Sequence, residues 1–450
     1  MVNESENNHS ESEFFGTERV GKILLKIAPP VMLAQLIQAL YNIVDSFFVG
    51  KYSDDALTAL TVIFPLKLVI IAFAVGTGVG VNTYMASKYA LSREDAARKA
   101  AGTGTVLAVI TWFIFAILSA LFMRPYVTSS ANVPTAIEYA VTYGRIVCIG
   151  SLGAFLEGNW TKVHQAHEDM KLPMAAQIIG ALVNIIFDPL LIFGIGIFPE
   201  MGVAGAAFAT VLGQIVSAAI TGVGGLCKPP NRQEMPHYVR RIYWYGYSSI
   251  MMQALYTVYI VALNMILASF SDAAVTVLGL YYKMQSFFFI PLFGLQTCIV
   301  PVLSYNYTKG NYARCKRTMR DAFLICMGFM SVGIICFLFL PEQIIGLFSQ
   351  NAEVHSIGKI AFPIIGTSFI SAVFSLIMPV FFQAIGMGKT SLLLSLTRQI
   401  FCLLPSFWLF SLIGLNYAWL AFPVSETLAG GIGLLLYYKQ FRKWDKIKEK

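Results

Sequence analysis

The chain has 450 residues, of which 57% are hydrophobic and 12% are charged, and its formal net charge is +8 at pH 7. The charged share is about half that of a typical soluble domain, which excludes an ordinary soluble globular protein. Basic loops that face an anionic membrane surface explain the positive charge, so binding to nucleic acid is not needed to account for it.

Apolar runs of twenty or more residues recur along the whole chain, and each is long enough to cross about 30 Å of hydrocarbon as a helix. The sequence therefore predicts an all-α polytopic membrane protein. We expect twelve transmembrane helices, at approximately 28–50, 57–86, 99–123, 135–160, 172–194, 201–226, 243–269, 275–305, 321–340, 357–385, 390–413 and 416–438.

The distribution of lysine and arginine over the loops supports this count. With the N-terminus in the cytoplasm, the outer loops receive only Lys51, Arg124 and Lys359, whereas the inner loops receive the other loop cations. Positive charge collects on the cytoplasmic side of membrane proteins. The pattern predicts a multi-pass protein of the cell (inner or plasma) membrane, in contact with lipid, with both termini cytoplasmic.

The two halves of the chain repeat each other. The motif at 38–41 recurs at 253–256, and Gln165-Ala166 recurs at Gln383-Ala384. Six is an even number, so both halves enter from the same side and are parallel repeats related by a pseudo-twofold axis along the membrane normal. The predicted segments are an acidic disordered tail 1–18, an N-terminal six-helix lobe 19–226, a cytoplasmic linker 227–241, a C-terminal six-helix lobe 242–440 and a basic cytoplasmic tail 441–450.

A polar stripe crosses the first apolar helix. Gln35, Gln38, Asn42 and Asp45 fall within an arc of about 80° on a helix whose other sides suit lipid. An ionised Asp at the bilayer centre costs about 2.5–3.5 kcal/mol on insertion scales. A carboxylate placed there needs a reason, and we interpret Asp45 as the centre of the function.

A second acid lies in the fifth helix. Gln177, Asn184 and Asp188 fall within about 40° of one face, and Pro189 removes the backbone donor to the carbonyl of Ile185. These groups could hold Na⁺ or a proton, so we predict a cation site of Asp45, Asn184 and Asp188 with Asn159. If the ion is Na⁺, we expect it at the first three. The alternative is that the two acids only hydrogen-bond neighbouring helices and hold the bundle together.

Substrate contacts are expected from polar, aromatic and sulfur side chains near these helices. The predicted set is Gln35, Gln38, Asn42, Glu157, Gln177, Gln253, Tyr256, Asn264, Met284 and Phe288. Other charged residues within the spans are interpreted as structural partners, namely Lys67, Arg145, Lys283, Arg398 and Glu426.

Several short motifs resemble the multidrug and toxic compound extrusion (MATE) transporters of the prokaryotic type. They are Ala28-Pro29, Asp45-Ser-Phe-Phe-Val-Gly50, Gln165-Ala166 and Asn184-x-x-x-Asp188-Pro189. The resemblance implies a V-shaped pair of six-helix lobes, and a cation site of Asp45, Asn184 and Asp188 in the N-terminal lobe. It also implies export of cationic, amphipathic drugs driven by entry of H⁺ or Na⁺. Some members carry further acids in the seventh and tenth helices, which this chain lacks.

The functional hypothesis is a secondary active multidrug exporter that works by alternating access, as a monomer and without a cofactor. The sequence leaves H⁺ and Na⁺ open as the coupling ion. One alternative is a lipid-linked saccharide flippase of the same broad superfamily, which would need a strongly basic cavity for a diphosphate head group. This alternative stays open because of four cations within the spans, namely Lys67, Arg145, Lys283 and Arg398. Another is a channel or a non-transporting membrane scaffold. An enzyme is not expected, because no nucleophile–base constellation is evident.

Overall fold

A computed structural model describes residues 14–128, 134–346 and 351–448, and within these ranges the chain is helical and contains no strand. The helices of the first half are α1 Phe14–Thr17, α2 Val20–Tyr52, α3 Asp54–Ala90, α4 Glu94–Thr128, α5 Pro134–Gly150, α6 Leu152–Ala166, α7 Lys171–Phe193 and α8 Val203–Gly225.

The second half repeats this all-helical pattern. Its elements are α9 Met235–Ala268, α10 Asp272–Phe288, α11 Ile290–Thr308, α12 Tyr312–Phe339, α13 Pro341–Gly346, α14 Ala352–Gly366, α15 Phe369–Ala384, α16 Gly388–Leu396, a π-helix Thr397–Leu403, α17 Leu404–Ser411, α18 Leu415–Ala418 and α19 Ala421–Lys448.

Nine spans among the described residues are long and apolar enough to cross a membrane without a sharp bend. Two of them, Gly388–Ser411 and Leu415–Asp445, are each made of consecutive elements. Three further spans consist of helix pairs bent by 43° (α5–α6), 53° (α10–α11) and 57° (α14–α15). Counting each bent pair as one span gives up to twelve, which agrees with the predicted all-α polytopic architecture.

The predicted disordered tail 1–18 differs from expectation where the structure describes it. Residues 1–13 lie outside the described ranges, but Phe14–Thr17 forms a helical turn in which Phe15 is buried. At the other end α19 continues to Lys448, and Trp444 stacks on Tyr312 with ring centroids 4.6 Å apart. Aromatic side chains within the basic segment therefore dock it onto the bundle, so the described part of 441–450 is a packed helix.

The chain forms two compact units. The first contains Pro29–Gln253 with the described part of Met1–Thr17, and the second contains Glu18–Ala28 with the described part of Ala254–Lys450. The predicted linker 227–241 and the beginning of α9 group with the first unit. One boundary falls directly before Pro29 and Pro30, inside α2.

Small residues fix the packing of α7 on α8 in the first unit. A methyl group on Gly213 would lie 2.6 Å from the carbonyl oxygen of Gly180, and one on Gly205 would lie 2.5 Å from the backbone of Leu191. Glycine is required at both positions because the two backbones approach so closely. This contact holds the α7 segment that carries Asn184 and Asp188.

Aromatic rings form the core of the second unit near its bent helix pairs. Phe337 of α12 stacks on Phe362 of α14 with centroids 5.0 Å apart. Phe289, at the bend between α10 and α11, packs edge-on against Phe369 with centroids 5.0 Å apart. Ring contacts therefore cover the points where two of the broken spans change direction.

The contact between α7 and α8 predicts a sharp difference between two glycine substitutions. We expect Gly213→Ala to reduce the free energy of unfolding by about 1–3 kcal/mol, because the added methyl overpacks a backbone contact. Gly328→Ala on α12 is the matched control, since its methyl would meet no atom within 4 Å and alanine favours a helix. Thermal unfolding of the purified protein in detergent measures both, and an unchanged midpoint for Gly213→Ala would contradict this packing.

Candidate cation site in the first unit

Two carboxylates from different helices lie close together in the first unit. Asp45 of α2 and Asp188 of α7 are 3% and 0% exposed, and their charges interact with each other. Oδ1 of Asp45 and Oδ2 of Asp188 are buried without a hydrogen-bond partner among the described residues. Buried polar atoms are normally paired, so two unpaired carboxylate oxygens are available to accept a proton or to bind a cation.

Asn184 lies one helical turn before Asp188. Its Nδ2 donates to Oδ1 of Asp188 at 3.3 Å, while its own Oδ1 is buried and has no partner among the described residues. Gly213 of α8 faces its Cβ closely, which fixes the position of the amide. Asp45, Asn184 and Asp188 thus contribute three oxygens that have no donor, and this set is chemically suited to a proton or to Na⁺.

Sequence reasoning missed the cation beside these acids. Lys67 of α3 donates from Nζ to the hydroxyl of Tyr143 at 3.1 Å, and its charge interacts with both Asp45 and Asp188. It forms no direct ion pair with a carboxylate in the described part of the chain. We interpreted Lys67 only as a structural partner, although a lone lysine in the middle of an apolar helix was the available signal.

Two tyrosines complete the surroundings. Tyr41, one turn before Asp45 on α2, interacts electrostatically with Lys67 and with both acids. Tyr143 of α5 is fully buried and lies beside Thr210 of α8. In the sequence Tyr41 was visible only as part of the internal repeat, because its distance from residues on other helices cannot be deduced from its own helix.

Glu157 and Gln177 form a separate pair. Oε1 of Glu157 accepts hydrogen bonds from Thr161 Oγ1 at 2.8 Å and from Gln177 Nε2 at 3.2 Å. One oxygen of this carboxylate is therefore bonded twice, in contrast to the unpaired oxygens of Asp45 and Asp188. The two predicted substrate residues are hydrogen-bonded to each other, and both donors to Glu157 are uncharged side chains.

Asn159 is 1% exposed, and neither atom of its side-chain amide has a partner among the described residues. It packs on Gly104 of α4 and lines a small pocket with Thr77, Phe73 and Phe155. Asn159 is therefore not hydrogen-bonded to Asp45 or Asp188 in the described chain. Its predicted part in the cation site stays a prediction.

The predicted polar stripe of α2 is not uniformly buried. Gln35 is half-buried, whereas Gln38 and Asn42 are exposed, and Nδ2 of Asn42 donates to the backbone carbonyl of Gln38 at 2.9 Å. Among these four residues the structure buries Asp45 alone. The stripe therefore places one carboxylate inside the first unit and leaves two amides on its surface.

The residues predicted to contact substrate in the second half are half-buried: Gln253, Tyr256, Asn264, Met284 and Phe288. Gln253 groups with the first unit and the other four with the second. Tyr256 packs against Tyr259 and Tyr282 with ring centroids 5.5 and 6.3 Å away. Phe288 packs on Phe337 at 5.7 Å, so these predicted residues are part of a larger aromatic cluster.

The cations within the predicted spans do not share one environment. Arg145 and Lys283 are exposed, and their interpretation as structural partners stays a prediction. Arg398 and Glu426 do pair in the second unit, where Nη1 of Arg398 donates to Oε1 of Glu426 at 2.9 Å. No group of three or more His, Cys, Asp or Glu side chains that could hold a metal occurs in the described ranges.

The two facing acids predict that removal of one charge stabilises the protein. Asn at position 188 keeps Oδ1 as the acceptor for Asn184 and replaces the unpaired Oδ2 by a donor that can face Asp45. At pH 8 we expect Asp188→Asn to raise the thermal midpoint by about 2–4 °C, or roughly 1 kcal/mol.

Asp321→Asn is the matched control for this comparison, since it removes an acid that pairs with Arg320 near the surface. Exposed pairs contribute about 0–1 kcal/mol, so its midpoint should hardly change. A lower midpoint for Asp188→Asn than for the wild type would show that the carboxylate is a stabilising structural partner.

Comparison with known proteins assigns this fold to a family. The family model MatE matches residues 30–190 and 248–428. A protein named FAD transporter, from Shewanella oneidensis, is 23% identical over 439 residues, covering 95% of this chain and 96% of its own length. A probable multidrug resistance protein NorM from Thermotoga maritima is 26% identical over 360 residues, covering 77% of this chain and 76% of its own.

Solved structures show the same fold. A transporter of the MOP superfamily from Pyrococcus furiosus, described as having reverse polarity of its binding pocket, superposes with a TM-score of 0.89 at 22% identity. The superposition covers 96% of this chain and 98% of that one. The likeness shows that the described chain has the same fold as that protein.

Proposed function

Because the chain belongs to the MatE family, that is, the multidrug and toxic compound extrusion transporters, which are not enzymes, we propose that it exports cationic amphipathic compounds in exchange for H⁺. The family makes it a multi-pass membrane protein that transports small organic compounds. We propose in addition that transport is outward, that the substrate is cationic and that H⁺ is the coupling ion. We also propose that the protein lies in the cell membrane with both termini in the cytoplasm. Export of several drugs is supported by the name of the relative from Thermotoga maritima.

One observation carries the proposal: Asp45 and Asp188 are buried together, and each has an oxygen without a partner among the described residues. Ionised groups within a membrane are costly, and those that persist commonly lie on ion or substrate pathways. Two acids at one place favour the arrival of a positive charge. A structural role alone would leave these oxygens hydrogen-bonded.

Lys67 favours H⁺ over Na⁺ as the coupling ion. Its ammonium interacts with both carboxylates, so two negative charges and one positive charge share the site. A single proton on either acid neutralises the remaining charge and needs no coordination shell. Na⁺ would need several oxygen ligands and would be repelled by the ammonium.

Coupling follows if the proton and the drug favour different states of the transporter. With one uncompensated negative charge the site attracts a lipophilic cation, and with a bound proton it does not. A ligand shifts a conformational equilibrium only by its difference in affinity for the two states. Alternating access then exchanges the two ligands across the membrane.

The alternatives receive less support. A lipid-linked saccharide flippase was kept open by four cations, of which Arg145 and Lys283 are exposed. The family consists of transporters, which disfavours a channel or a scaffold. The acid pair therefore remains the feature that a functional proposal must explain.

We expect Asp45→Asn to reduce ethidium transport into inside-out vesicles at least tenfold, because the site loses the charge that alternates between proton and drug. Asp321→Asn is the matched control and should keep transport within twofold of the wild type. Equal expression and elution profiles establish that both variants fold. Transport at the wild-type rate by Asp45→Asn would remove this carboxylate from the mechanism.

The coupling ion is decided with the two gradients imposed separately on vesicles that contain the purified protein. A pH gradient without Na⁺ should drive ethidium transport, and a Na⁺ gradient at equal pH should give no transport above protein-free vesicles. Transport driven by Na⁺ alone would refute coupling to H⁺ while leaving the acid pair as the cation site.

A further inference from the structure

We propose that Arg398 of the second unit is a binding site for the carboxylate of an aromatic substrate, and that Glu426 occupies this site as an internal competitor. The inference deepens the proposed export function by adding a substrate class, namely aromatic amphiphiles that carry a carboxylate. It is drawn from contacts within the second unit alone.

The pairing of Arg398 with Glu426 uses little of the guanidinium. Nη1 donates to Oε1 of Glu426 at 2.9 Å, and Ser375 of α15 donates from Oγ to the other oxygen of Glu426. Both oxygens of the acid are thus bonded. A guanidinium has five N–H donors arranged as a fork, and the donors of Arg398 other than Nη1 have no acceptor among the described residues.

An ion pair joined by a single hydrogen bond adds little to the free energy of unfolding. The side chains of Arg398 and Glu426 are 9% and 8% exposed, so both charges have lost most of their solvent. Buried ion pairs often stabilise no more than apolar side chains of similar volume. The pair is better explained if the guanidinium has a second use, because a carboxylate that binds it through two N–H groups makes a stronger contact than Glu426 does.

The backbone around Arg398 is unusual. Residues Thr397–Leu403 form a π-helix, and Pro405 cannot donate to the carbonyl of Phe401 that would be its helical partner. π-Helical turns are rare and are found frequently at functional sites. Here the widened turn buries the consecutive side chains of Arg398 and Gln399, and Oε1 of Gln399 has no partner in the described chain.

Tyrosines surround the guanidinium. Tyr256 and Tyr259 of α9 and Tyr281 of α10 all interact electrostatically with it. Tyr259 and Tyr281 are buried, and Tyr281 packs on Phe422 of α19 at 5.2 Å. Tyr256 is half-buried, so its ring can pack against an aromatic ring attached to the carboxylate at the distance that aromatic pairs prefer.

The test measures binding, so it does not depend on transport. The probe is 2-naphthoate, titrated by calorimetry into the purified full chain, with neutral 2-naphthamide as the matched ligand. We expect the wild type to prefer naphthoate and Glu426→Gln to bind it at least fivefold more tightly, since the competing carboxylate is gone. Arg398→Lys should bind it at least fivefold more weakly than the wild type, because an ammonium lacks the planar fork.

Arg398→Gln alone leaves a buried acid unpaired and could fail to fold, so the double variant Arg398→Gln/Glu426→Gln is used as well. It should show no preference for naphthoate, whereas Arg320→Gln, which removes an exposed arginine of the same unit, should bind like the wild type. Retained preference in the double variant, or no gain in Glu426→Gln, would overturn the proposal. Normal transport by Asp45→Asn would refute the proposed function and leave this binding result unaffected.

Discussion

The structure of the first unit depends on one electrostatic constraint, which is that two acids are held together where water is largely excluded. Asp45 and Asp188 repel each other, and the described residues offer Asp188 only the amide of Asn184 as a direct hydrogen-bond donor. The glycines between α7 and α8 hold Asp188 in place, because their backbone contact leaves α7 no room to turn its polar face away. Packing energy from small residues thus maintains an arrangement that electrostatics alone would disperse.

Much of the fold could be predicted from the sequence, because the bilayer imposes a length and an apolar composition on every span. The count of twelve agrees with the structure only when bent pairs are joined, and the bends themselves were not predicted. At the bend between α10 and α11, Phe289 packs against Phe369, which is far away in the chain. No local sequence pattern reveals such a contact. The packing of the C-terminal segment was not predicted for the same reason, since Trp444 contacts Tyr312, which is far away in the chain.

The candidate cation site could also be predicted only in part, because a local pattern reveals a residue on its own helix but not its neighbours from other helices. Helical periodicity identified Asp45, Asn184 and Asp188, because an acid on an apolar helix is conspicuous by itself. It also assigned Gln38 and Asn42 to the face of Asp45, but they are exposed. Lys67, Tyr41 and Tyr143 were missed as site residues because their role arises from helices that approach in three dimensions.

The charge of a buried acid is compensated differently in the two halves of the repeat. In the first unit the charges of Asp45 and Asp188 exceed that of Lys67, and two carboxylate oxygens lack a donor in the described chain. In the second unit Glu426 is bonded to both Arg398 and Ser375, so its charge is already compensated. A mobile cation can be exchanged only where the protein leaves negative charge uncompensated, which is why the proposed ion coupling lies in the first unit. The fixed guanidinium of the second unit has the opposite capacity, because any ligand that displaces Glu426 from it must itself bring negative charge.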